Sequence, residues 1–176
     1  DLDRDGDLDL IVTGRDAGAT GRVDRYLNDG TGALASAVLL SSSGERSSIA
    51  LGDIDGDGDL DLILGGSTDG LVSGARLEKY INNGAGGFSS ATNIGTAVVF
   101  PSTSLGDIDN DGDLDLVVSD RGQIQIDGTN SGAKRGSRWL EQGADGWTNH
   151  TIRKVLPTDR DLFKFPPKMF EGASLI

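Results

Sequence analysis

The chain has 176 residues, of which 27 are glycine, 5% are aromatic and none is cysteine, and its formal net charge is −12. That balance suits short strands joined by tight turns better than long helices, and it excludes disulfides and thiol chemistry. No apolar run approaches membrane-spanning length and no basic cluster is interleaved with aromatics, so neither membrane insertion nor nucleic-acid binding is expected.

The charge is local. Fifteen of the 28 acidic residues fall in three nine-residue segments, and the other 13 are outnumbered by the 16 basic residues of the chain. The first segment holds Asp1, Asp3, Asp5, Asp7 and Asp9. The second holds Asp53, Asp55, Asp57, Asp59 and Asp61, and the third Asp107, Asp109, Asp111, Asp113 and Asp115. Five carboxylates packed so closely repel one another unless a multivalent cation lies among them.

Acids at positions 1, 3 and 5 with glycine at position 6 (Gly6, Gly58, Gly112) make a loop that wraps a hard, oxygen-seeking ion, and Ca²⁺ is the natural candidate. Position 7 would supply its backbone carbonyl, leaving the Asp7, Asp59 and Asp113 side chains to water, and position 9 (Asp9, Asp61, Asp115) would close the shell. Three bound Ca²⁺ would bring the net charge from −12 to −6. An EF-hand loop would need a glutamate at position 12 and a helix after it. Here position 12 is Val12, Leu64 or Val118, within aliphatic runs that read as strands.

The loops begin at Asp1, Asp53 and Asp107, periods of 52 and 54 residues, which suggests a repeat architecture. A second marker keeps the same period: Arg25-Tyr26-Leu27-Asn28-Asp29-Gly30, Lys79-Tyr80-Ile81-Asn82-Asn83-Gly84 and Arg138-Trp139-Leu140-Glu141-Gln142-Gly143. Eight residues after each aromatic stands another large apolar residue: Leu34, Phe88 and Trp147. Both features read as a hairpin, with Tyr26, Tyr80 and Trp139 in equivalent positions packing between repeats.

In the second repeat the expected strands are residues 48–51, 60–64, 77–81 and 88–94, a four-stranded propeller blade. The implied units are residues 1–46, whose opening strand is missing, 47–99 and 100–152. Residues 153–176 form an extension with Pro157, Pro166 and Pro167 among Phe163, Phe165, Met169 and Phe170, expected to run extended against another surface.

The segments from Leu51-Gly52-Asp53 to Leu64 and from Leu105-Gly106-Asp107 to Val118 resemble the calcium-binding FG-GAP/VCBS repeat, found in the propeller of integrin α-subunits and in many secreted or surface proteins. The resemblance implies an all-β chain of propeller blades, one Ca²⁺ in each, serving adhesion, assembly or recognition without catalysis. Three blades do not close a ring, so further blades from missing sequence, or self-association, are expected.

Partners would be other protein chains or glycans. An extracellular or cell-surface location is expected from the weak affinity of such calcium modules and from the sequon Asn149-His150-Thr151, a glycosylation candidate at Asn149. His150 is the single histidine, and no nucleophile or zinc-ligand motif appears, so no enzyme activity is expected. A propeller-type lectin and the non-catalytic scaffold of a larger secreted enzyme are the alternative readings.

Overall fold

The aliphatic run after each acidic loop forms part of a strand, as β-branched and aliphatic side chains favour on a pleated surface, though in the first repeat Leu10 and Val12 are exposed rather than buried. The computed structural model describes residues 1–69, 74–98, 100–120, 136–143 and 145–154. Among them are β1 (Leu10–Arg15), β2 (Gly21–Tyr26), β3 (Val38–Ser41), β4 (Glu45–Gly52), β5 (Asp61–Ser67), β6 (Ala75–Tyr80), β7 (Thr92–Val98), β8 (Pro101–Gly106), β9 (Asp115–Asp120), β10 (Gly136–Gly143) and β11 (Gly146–Lys154).

They form three antiparallel sheets in the orders β1-β2-β3, β4-β5-β6-β7 and β8-β9-β10-β11. The chain is therefore all-β, and the described residues do not close a ring. Of the expected extension 153–176, Arg153 and Lys154 instead continue β11, paired with Ser137 and Gly136. Residues 155–176 lie outside the described residues, as do 70–73 and 121–135 in the connections between second and third strands.

The second sheet lies between the other two, which explains why every residue of β5 is buried. On one side Leu62, Leu64 and Tyr80 close on Val23, with Ile11 and Leu40 of the first sheet packed alongside. On the other, Ile54, Ile63, Leu77 and Ile94 close on Leu116, Val118 and Leu140 of the third sheet, with Trp147 against their edge. Alternating side chains of one strand thus serve two interfaces. The first strands also meet: Ser48 Oγ of β4 lies 2.9 Å from Thr103 Oγ1 of β8 and accepts the Thr103 N–H.

Two sequence expectations need correction. Register places Leu10 opposite Tyr26 and Leu62 opposite Tyr80, but Leu116 opposite Leu140; Trp139 faces Val117 instead. Leu140, not Trp139, therefore occupies the Tyr26 and Tyr80 position. The cause is period 2: one residue of offset turns a side chain to the other face. Leu140 is buried in the core, while the half-buried Trp139 stacks on His150 at 4.4 Å between ring centroids.

Leu140→Ala should cost about 2–5 kcal/mol. Trp139→Ala should cost less, about 0.5–1.5 kcal/mol for its stacked contact on top of the partial area it buries. Urea unfolding of the two variants checks the order, and the reverse order would restore Trp139 as the core residue.

The second correction concerns the last strand of the first two sheets. Leu34 and Phe88 make only isolated bridges to Asn28 and Asn82, and β3 and β7 begin four residues later. Here the turn has its own hydrogen bonds, Ala35 N–H to the Leu27 carbonyl and Ser89 N–H to the Ile81 carbonyl, both at 2.7 Å. In the third sheet the pairing continues up to the turn, with Gly143 opposite Gly146, and its register shifts only between Ser137 and Arg138.

Candidate metal centres

Each acidic loop is folded by its own carboxylates. The position-1 acid accepts the position-6 N–H: Asp1 from Gly6 at 3.1 Å, Asp53 from Gly58 at 2.9 Å and Asp107 from Gly112 at 3.2 Å. The position-5 acid accepts the N–H two residues on, Asp5 from Asp7, Asp57 from Asp59 and Asp111 from Asp113, at 2.9–3.0 Å. Positions 4 and 6 are left-handed in all three loops: Arg4, Gly56 and Asn110 have φ of 64°, 78° and 66°, and Gly6, Gly58 and Gly112 have 95°, 89° and 99°. Glycine at position 6 avoids the strain that a Cβ would bring there.

The turn gathers the acids onto one point. One oxygen from each of Asp1, Asp3 and Asp5, of Asp53, Asp55 and Asp57, and of Asp107, Asp109 and Asp115 lies within 4.8 Å of the others in its set. Two ligands on opposite sides of one Ca²⁺, each at about 2.4 Å, stand about that far apart. The all-carboxylate donor set is chemically right for a hard cation, and in the first loop Asp3 Oδ1 is buried with no hydrogen-bond partner. The residues present fit the ion.

Position 9 has a further role. Asp9, Asp61 and Asp115 each accept two backbone N–H groups: from Leu2 and Asn28, from Ile54 and Asn82, and from Ile108 and Gln142. Each carboxylate ties the loop to the end of the third strand of its own repeat. Its oxygens keep a second lone pair, and Asp115 stands with Asp107 and Asp109.

Position 7 departs from expectation. Asp113 is exposed, but Asp7 is half-buried and Asp59 only 6% exposed. Asp59 forms an ion pair with Arg4 of the first loop and abuts the hairpin turn of its own repeat, where a Cβ at Gly84 would come within 2.6 Å of its carboxylate. Asp7 abuts Gly30 in the same way. In the first two loops the side chain expected in water thus packs against the hairpin turn of its own repeat, whereas Asp113 faces water as expected.

Burial raises the Asp61 carboxyl above its ordinary pKa, with Asp55 adding repulsion against the two stabilising N–H donors. Desolvation raises Asp109 as well, followed by the charges of Asp111 and Asp115. Raised folded-state values mean that the metal-free fold prefers these protons. This contribution to stability is full below the ordinary carboxylate range and is lost as pH rises through the folded values. A cation must displace the same protons, so its apparent affinity should fall on acidification. Calcium titrations at neutral pH and at about pH 4.5 check this; a midpoint unmoved by pH would count against carboxylate ligands.

The remaining candidates fall elsewhere. Asn149 is exposed on β11, opposite Leu140. His150 Nε2 lies 2.6 Å from a Glu141 oxygen while its ring stacks on Trp139, a structural arrangement on the sheet. Trp147 lines a cleft of about 590 Å³ between the second and third sheets, with Lys79, Thr92 and Asn93.

Residues 1–64 match the family model described as an FG-GAP-like repeat, a span that runs from the first acidic loop through the second and into β5. Neither a curated protein nor a solved structure matches the chain.

Proposed function

We propose, on the premise that residues 1–64 carry FG-GAP-like repeats, that this chain is a non-catalytic recognition module of propeller-type blades, each held by one Ca²⁺. It works outside the cell in adhesion or assembly with another protein chain or a glycan. The observation that carries this reading is the recurrence of one loop three times, each bringing three carboxylate oxygens within reach of a single cation.

The wider setting is supported by two features. Calcium modules of about 10⁻⁴–10⁻³ M affinity suit extracellular calcium, and the sequon asparagine Asn149 is exposed. On a scaffold of short strands, contacts with partners fall to the connections, and those after β1, β5 and β9 differ most in length between repeats.

Equilibrium dialysis against millimolar Ca²⁺ tests the centre of the proposal. The 176-residue chain should retain about three ions per molecule at that affinity, and Asp57→Ala should lower the number by one. A chain that retains none refutes the reading.

A further inference from the structure

The three acidic loops are joined in series by hydrogen bonds. Asp9 accepts the Leu2 N–H at 2.6 Å, and the Leu2 carbonyl accepts from the buried side-chain amide of Asn82 at 2.8 Å. The Asn82 backbone N–H donates to Asp61 Oδ1 at 2.8 Å, while Asp61 Oδ2 accepts from the Ile54 N–H at 2.8 Å. The pattern then repeats one unit further on. The Ile54 carbonyl accepts from Gln142 Nε2 at 2.7 Å, the Gln142 N–H donates to Asp115 Oδ1 at 3.0 Å, and Asp115 Oδ2 accepts from the Ile108 N–H at 2.9 Å.

Each link leaves one loop at position 2, the peptide between the position-1 and position-3 carboxylates. It crosses to the next repeat through a single side-chain amide and enters the following loop at position 9. A second tie joins only the first pair of loops: Arg4 donates to the Asp57 carbonyl at 3.0 Å and forms an ion pair with Asp59. The Asp59 carboxylate offsets the Arg4 charge, so this tie holds the backbone of the second loop rather than competing with an ion. Position 4 of the second loop is Gly56, which has no side chain to make the same reach to the third.

We propose that Asn82, Gln142 and Arg4 are positioning residues that couple neighbouring metal loops, so that filling one loop raises the cation affinity of the next. The first and second loops, with two ties, are coupled more strongly than the second and third. An ion held between Asp1 and Asp3 immobilises the Leu2 peptide. The partner amide of Asn82 is then held before the second loop closes, and less conformational entropy remains to be lost there. This inference rests on the calcium reading above.

The position-6 glycines give one reporter per loop, since the amides of Gly6, Gly58 and Gly112 all donate to the position-1 carboxylate. Their NMR shifts, followed in a calcium titration of the whole chain, read the three occupancies separately. Asp3→Ala, which cripples the first loop, should weaken calcium binding at Gly58 about fivefold, the low end of typical site-to-site coupling, with a smaller change at Gly112.

In an Arg4→Gly background, which suits the left-handed φ at that position, the effect of Asp3→Ala on Gly58 should shrink. Asn82→Ala should shrink it too, and Asn82→Gln, which places the third repeat's residue there, should restore it. Normal calcium binding in the wild type with Gly58 indifferent to Asp3→Ala overturns the coupling and leaves the calcium reading intact. Absence of calcium binding at all three reporters overturns the calcium reading itself.

Discussion

Removal of calcium with a chelator is expected to lower the melting temperature of this chain by about 10 °C or more. A ligand that binds only the folded state stabilises it by RT ln(1 + [L]/Kd), about 1.4 kcal/mol per site at tenfold excess over Kd. Three sites filled to that degree contribute about 4 kcal/mol, and a domain of this size shifts by about 2–4 °C per kcal/mol. The mechanism is local. Without an ion, the three acids gathered in each loop, at positions 1, 3 and 5 in the first two and 1, 3 and 9 in the third, repel one another across no more than 4.8 Å. The hydrogen bonds that fold each loop, such as Gly58 N–H to Asp53, form against that repulsion. Differential scanning calorimetry with calcium and with EDTA is the measurement, and a melting temperature the same in both would leave the loops as acidic turns.

The second large effect separates two kinds of aspartate in one loop. Asp61→Ala should cost about 2 kcal/mol or more whether calcium is present or not, whereas Asp57→Ala should remove only the calcium-dependent part of the stability. Asp61 is fully buried and accepts the N–H groups of Ile54 and Asn82, both at 2.8 Å. Its loss strands two buried donors, each costing about 1–3 kcal/mol. The desolvation that raises its pKa returns part of that on removal.

Asp57 is exposed and its carboxylate serves only a turn N–H and the oxygen cluster. Urea unfolding of both variants, in calcium and in EDTA, gives four numbers. If Asp61→Ala proved harmless in EDTA, the position-9 carboxylate would be a ligand and nothing more.

The two variants mark the boundary of what was legible in the residues alone. Asp53, Asp55 and Asp57 are separated by single residues and folded by contacts within their own turn, so spacing is enough to show that they share one point in space. The strands after them were legible for a related reason. Leu62-Ile63-Leu64 cannot satisfy its side chains except by burial on both faces, and β5 is buried throughout. Trp139 was misread because a single residue of offset leaves the motif Arg-Trp-Leu looking like Arg-Tyr-Leu, and only the pairing of Leu116 with Leu140 reveals the shift.

The sequence shows Asp61 only as the acid that closes the loop, because composition cannot say what else a carboxylate faces. Its second backbone donor lies 21 residues away, and those of Asp9 and Asp115 lie 19 and 27 away. The partnership of Arg4 with Asp57 and Asp59 spans more than 50 residues and two repeats. Which acids gather at one point is settled within nine residues, because a tight turn brings them together whatever surrounds it. Which acids also tie one repeat to its third strand, or one loop to the next, is settled by the stacking of sheets, because those donors reach the carboxylates only once distant strands have paired.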